Sequence, residues 1–207
     1  TFTPEVVKTL LEEALTTDTT KFQKQSKNFL FQRYAILYIM TLTGIRPKDL
    51  ILLKWEQIDM ENRTLTIEHN KTKRKGIRSV IFLTAHLLEL FNMLQGMHKT
   101  EKICSKEYVF SFNPCDRKSD KTSMSDYLYT STKSDMADFF VEFRKKHNLT
   151  QSVKTAGKKL MAYSMYSLRG TVGTILSNAN FNMNNIDYLQ GHAPNNTTAR
   201  FYLDREA

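Results

Sequence analysis

Apolar and polar residues recur along this chain with two different periods. In "TPEVVKTLLEEAL" the apolar residues Val6, Val7, Leu10, Leu11 and Leu15 repeat at helical spacing. Thr3 stands where an N-cap oxygen is wanted, Pro4 at the first helical position and Glu5 in the first turn. "FLFQRYAILYIMTLT" is apolar nearly all round, which predicts a buried central helix, and Gly44 follows it as a C-cap. Pro47 opens a further helix, "PKDLILLKW". The period then falls to two. "RTLTIEH" and "IRSVIFL" read as the strands of a hairpin joined by the basic turn "NKTKRKG".

Helical spacing returns in "AHLLELFNMLQGM", which Thr84 caps. "YVFSF" reads as a short strand or extended segment, and the polar "NPCDRKSDKTSMSDYLYTSTKSD" as a surface insertion. "MADFFVEFRKKHNL" is helical, "TQSVKTAGKKLMAYS" is a polar linker, and "MYSLRGTVGTILSN", "NNIDYLQG" and "NTTARFYLD" are the last three helices. The fold class that follows is α+β: mainly α-helical with a small antiparallel β-sheet, in one domain spanning residues 1–207.

Composition narrows the function more than the fold. A chain of 207 residues can bury a sizeable core, and 41% hydrophobic with 25% charged residues is ordinary for a globular protein. The net charge of +9 favours a polyanionic partner, nucleic acid before an anionic membrane. Cys104 and Cys115 lack a metal-site spacing and are too few for a disulfide framework, so a reduced, cytoplasmic compartment is expected. No apolar run approaches the roughly 20 residues of a membrane span, and no membrane partner is expected. The first residues form an amphipathic helix rather than a signal peptide, and a start on Thr1 suggests a piece of a longer or processed chain.

Five islands put polar residues where a plain core element would not want them. "TGIRPKDL" carries Arg46 with Asp49 three residues on, and "NKTKRKG" carries Lys71 with Lys73, Arg74 and Lys75. "YSLRGT" sets Tyr166 and Arg169 on one helix face, "GHAPN" holds His192, and "TTARFYL" supplies Tyr202. Taken singly, each has a plain reading as a surface ion pair, a solvated turn or a structural histidine. Their order changes this.

The ordered set resembles the catalytic domain of the tyrosine recombinases, the phage-integrase family. "TGIRPKDLILLKW" is similar to the family's first arginine box and "NKTKRKGIRSVIFL" to its lysine-bearing hairpin. "YSLRGTVGTIL" resembles the second box, and "LQGHAPNNTTARFY" the final box with its tyrosine. Two departures stand out: Tyr166 occupies a place usually held by histidine, and Gln190 interrupts the usual Leu-Gly-His. The family's separate N-terminal DNA-clamping domain is not among these residues.

The resemblance implies a site-specific DNA recombinase that works through a 3′-phosphotyrosine intermediate, without metal, ATP or other cofactor. Arg46 and Arg169 would bind the scissile phosphate, and Tyr166 and His192 would donate to it or handle a proton. Lys71 would protonate the leaving 5′-oxygen, with Lys73 and Lys75 as rivals and Lys73, Arg74 and Lys75 as DNA-backbone contacts. The partner would be a double-stranded recombination site bound by a homotetramer of subunits that are monomers in solution. The source would be bacterial or phage-borne, with the protein on the nucleoid. A type IB topoisomerase or telomere resolvase, or a DNA-binding relative with a decayed site, are the competing classes.

The nucleophile is less simple. In many members it lies nine positions after the box histidine, which is Phe201 here; Tyr202 is the tenth. Adjacent helical residues point roughly 100° apart, so only one of the two can face the arginines. Phenylalanine is the better core residue because it has no hydroxyl to satisfy. Tyr202 is therefore taken as the nucleophile, with position 201 as the alternative.

Overall fold

In the computed structural model, which describes residues 2–16, 27–69, 78–112, 122–149, 152–155, 158–161 and 163–190, the largely apolar segment forms helix α2 (Lys27–Thr43). Its Ala35, Ile36, Leu37, Ile39 and Met40 are wholly buried. Helix α1 (Pro4–Ala14) packs on it, with Thr3 as the N-cap accepting from the Val6 amide. Leu15 is an exception to the expected apolar face: it falls after the helix ends and is 47% exposed.

Gly44 ends α2 at φ +64°, a left-handed conformation that costs glycine little. Helix α3 (Pro47–Ile51) is shorter than the sequence suggests. The chain leaves the helix at Leu52, and the Leu53 carbonyl accepts from the Val109 amide at 2.9 Å. A 3₁₀ turn, Trp55–Gln57, follows, and "YVFSF" contributes only a single bridge, Lys54 to Tyr108. Strands β1 (Ile58–Asp59), β2 (Thr64–Glu68) and β3 (Arg78–Phe82) make an antiparallel sheet in that order, with Glu68 opposite Arg78 and Ile67 opposite Ser79. Helix α4 (Ala85–Thr100) starts at its Thr84 cap.

Two polar segments were misread. The expected surface insertion runs into helix α5 (Met124–Lys146), whose Ser123 cap accepts from the Asp126 amide at 3.1 Å. Leu128, Thr132, Met136 and Phe140 recur every four residues on its buried side. Asp135 of α5 accepts two bonds from buried Arg33 of α2, at 2.7 and 3.0 Å. The expected linker contains a hairpin, β4 (Ser152–Thr155) and β5 (Lys158–Met161). Cys104 is disulfide-bonded.

Helix α6 (Met165–Asn178) packs on α2, and helix α7 (Met183–Leu189) lies against α6 and β3. Among the described residues no helix is long and apolar enough to cross a membrane. The expected helix "NTTARFYLD" lies outside the described residues.

Candidate active site

The site is assembled where three helix ends meet. Arg46 sits at the N-cap of α3, immediately after the Gly44 turn that closes α2. Arg169 lies in α6, only 8% exposed. Its guanidinium donates to the Gly44 carbonyl at 2.8 Å and to the Gln190 carbonyl at 2.5 Å. One side chain thus ties the end of α2 to the end of α7.

Arg46 and Arg169, widely separated in sequence, feel each other's charge. Burial, and then the neighbouring Arg46, push the Arg169 pKa down to about 10, with Asp49, Tyr166 and Asp187 acting in the opposite direction. Arg169 remains cationic at neutral pH. Two like charges held together with little water make a field that a phosphate would relieve.

Asp49 is almost wholly buried, and its Oδ2 lies 3.9 Å from Arg46. That distance makes a loose pair at the limit of an ion contact. A closer partner of Asp49 is His69, whose Nδ1 stands 3.0 Å from the same oxygen. His69 Nε2 is 2.7 Å from Ser79 Oγ, and Ser79 Oγ is 2.5 Å from the Tyr188 carbonyl of α7. The Tyr188 hydroxyl also accepts from the Val80 amide at 3.2 Å.

An Asp-His-Ser order at these distances has the connectivity of a hydrolase triad. The reading fails on access. Ser79 and His69 have no exposed surface, and the serine hydroxyl is directed at a carbonyl. This network is internal wiring between α3, the β2–β3 stem and α7.

Tyr166 is 60% exposed and stands one helical turn before Arg169. It shares a hydrogen bond with Tyr129 of α5, whose phenol is pushed up first by burial and then by Tyr166. Lys48 and Lys133 place their ammonium groups 5.1 and 5.7 Å from the Tyr129 ring. An exposed basic and aromatic surface therefore adjoins the two arginines.

The structure brings together Arg46, Arg169 and Tyr166 of the expected set. Lys71, Lys73, Arg74, Lys75, His192 and Tyr202 lie outside the described residues. What is described are the anchors on either side: His69 and Ser79 at the hairpin stem, and Gln190 just before Gly191 and His192. Sequence reasoning passed over His69, Ser79, Tyr129 and Tyr188. His69 carried a signal, because Leu65, Ile67 and His69 fall on one face of a period-two pattern and all three are buried. A histidine in the third inward slot is a polar group that must find partners. Among the described residues no group of three or more His, Cys, Asp and Glu side chains is arranged to hold a metal ion.

Comparison with known proteins gives a consistent answer. The model of the phage integrase family matches residues 1–207. The transposase of transposon Tn916 from Enterococcus faecalis is 26% identical over 207 residues, covering 95% of this chain and 48% of the relative. The transposase of transposon Tn1545 from Streptococcus pneumoniae matches to the same extent. The chain thus spans about half the length of the curated relatives it matches. Among solved structures, the Tn1549 transposon integrase in complex with a circular intermediate DNA superposes with TM-score 0.60 at 14% identity, over 100% of this chain and 65% of that one. XerA recombinase superposes with TM-score 0.59 at 16% identity, over 99% of this chain and 62% of that one. At such identities the two superpositions establish a shared fold.

Proposed function

The chain belongs to the phage integrase family, and from that premise we propose that it is the catalytic domain of a site-specific DNA recombinase. The observation that carries the reading is the convergence of Arg46 and Arg169, close enough that one lowers the proton affinity of the other. A phosphodiester gains negative charge on its non-bridging oxygens in the transition state. Two guanidiniums held in advance stabilise that charge, and loss of one such donor typically costs about 3–4 kcal/mol of barrier.

In this reading the Tyr202 hydroxyl attacks the phosphorus of the scissile phosphate. A P–O bond to tyrosine forms as the P–O5′ bond breaks. Lys71 supplies the proton to the departing 5′-oxygen, and the neighbouring cations would favour its release. His192 receives or orients the tyrosine proton. Tyr166 donates a hydrogen bond to a phosphate oxygen, a role that its hydroxyl fills through the O–H it carries. Lys73, Arg74 and Lys75 contact the backbone. The phosphotyrosine keeps the energy of the broken phosphodiester, so religation is the same reaction in reverse and consumes no ATP.

The exchange of both strands between two duplexes requires four cleavages. The assembly on DNA is accordingly a homotetramer, formed from subunits that are monomers when free. Binding is phosphate-driven, as the net charge of +9 suggests.

The test uses a nicked duplex carrying the inverted repeats that border the gene. Incubation should give a covalent protein–DNA adduct with a free 5′-hydroxyl, lost in both Arg46→Ala and Arg169→Ala. Relaxation of any plasmid regardless of sequence would instead indicate a topoisomerase. Tight binding without an adduct would indicate a decayed relative.

A further inference from the structure

We infer that His69 is a doubly protonated positioning residue that neutralises Asp49, so that the carboxylate orders Arg46 without cancelling its charge toward the phosphate. This deepens the reading of Arg46 as a phosphate-binding residue and rests on it.

The protons along this line of contacts fix the state of the ring. The Tyr188 carbonyl can only accept, and it lies 2.5 Å from Ser79 Oγ. Two oxygens so close need a proton between them, and the serine hydroxyl is its source. Ser79 has one proton and has therefore spent it. Its oxygen must accept at 2.7 Å from His69 Nε2, which makes that nitrogen an N–H. On the other side of the ring, Nδ1 faces Asp49 Oδ2 at 3.0 Å. A carboxylate accepts, so Nδ1 is an N–H as well. Both ring nitrogens donate, and the imidazole is an imidazolium.

The surroundings allow this charge. Asp49 faces the ring from α3, with Arg46 3.9 Å from the same carboxylate oxygen. Ser79 faces it from β3, and the Tyr188 carbonyl lies behind Ser79 on α7. Glu68 and Arg78 at the mouth of the stem are paired with each other at 3.1 Å. A buried imidazolium would be costly alone but is tolerable against a buried carboxylate whose geometry is good.

The consequence reaches the reaction. Were His69 neutral, Asp49 would direct a full negative charge at Arg46 and weaken its field at the phosphate. With His69 charged, Asp49 is balanced by the nearer of the two cations on Oδ2. The same proton arrangement lets Ser79 hold the Tyr188 carbonyl, so one ring connects Arg46, the stem of the basic hairpin and helix α7.

Two measurements test this. In the wild-type chain, ¹⁵N–¹H correlation of labelled histidine should show two directly bonded protons on the His69 ring at neutral pH. A single ring proton overturns the inference, and this arm does not depend on any enzymatic activity. With the nicked duplex, His69→Gln keeps a donor to Ser79 but takes the ring's charge away from Asp49. Its adduct formation at saturating DNA should slow by about tenfold or more, the size typical of groups that orient a contact residue. Its DNA affinity should change little. Adding Asp49→Asn should then recover part of the lost rate, because the negative charge beside Arg46 is removed. A double variant no faster than His69→Gln, or a His69→Gln chain as fast as wild type, overturns the inference. A wild-type chain that forms no adduct overturns the recombinase reading instead.

Discussion

Arg169 and Gln190 hold each other by reciprocal bonds. The Arg169 guanidinium donates to the Gln190 carbonyl, and the Gln190 side-chain amide donates back to the Arg169 carbonyl at 3.2 Å. Both residues are buried. The residue that breaks the family's usual Leu-Gly-His spelling is thus the one that locks the second arginine to the end of α7. Gln190→Ala should leave the Arg169 backbone carbonyl short of that donor, costing about 1–3 kcal/mol in denaturant unfolding. Gly173→Ala should act the same way, since an added Cβ would stand 2.9 Å from Gln190 Nε2 and displace it.

Arg169→Lys separates charge from geometry. Lysine keeps the cation but cannot bridge the Gly44 and Gln190 carbonyls while presenting a planar fork to a phosphate. Single-turnover adduct formation should fall by about 10²–10³-fold, with a much smaller loss of DNA affinity.

Tyr166 replaces a histidine, and the reading makes it a hydrogen-bond donor rather than a base. Tyr166→Phe should slow adduct formation by roughly tenfold, one hydrogen bond to a charged group. It should also free the Tyr129 hydroxyl, lowering that phenol's pKa toward its ordinary value, because the Tyr166 contributions that raise it are gone. Tyr166→His should retain activity. An inactive histidine variant that still folds would count against the donor role.

His98 gives the fold an acid-sensitive point away from the arginines. It packs edge-on between Trp55 and Phe112, at 5.1 and 4.9 Å, and its Nε2 donates to the Val109 carbonyl at 2.8 Å. Burial holds its pKa below 6.5, with the Val109 bond in partial opposition. The unfolded chain then binds a proton more readily than the native one as pH falls past 6.5, so stability is lost on acidification through that window. The slope from this one group is at most about 1.4 kcal/mol per pH unit. Urea unfolding should show a His98→Asn variant less stable at neutral pH but losing less between pH 7 and pH 5.

What the sequence made legible follows from what kind of signal each residue carries. Arg46, Arg169 and Tyr166 sit inside short motifs, and the structure brings them together from α3 and α6. Helix α2 was legible because apolar residues surround it nearly on all sides, even though Gln32 and Arg33 are buried within it. The second half of helix α5 was legible from Met136 on; its first half was not, because Ser, Thr, Asp and Lys surround its buried positions there, and one of those is Thr132. The β4–β5 hairpin was hidden in the same way, behind lysines at Lys154, Lys158 and Lys159. His69 was missed because its partners, Asp49 and Ser79, are set by tertiary pairing. Gln190 was read only as a departure from a motif, and its bond to Arg169 spans 21 positions.

The central claim is a covalent bond between a named tyrosine and DNA. The nicked duplex should be incubated with the chain, the adduct digested, and the DNA-linked peptide mapped by mass spectrometry. The account predicts a phosphotyrosyl link at Tyr202, absent in Tyr202→Phe and trapped before religation in the wild-type chain. An adduct that survives Tyr202→Phe, or one that forms only in Phe201→Tyr, would contradict it.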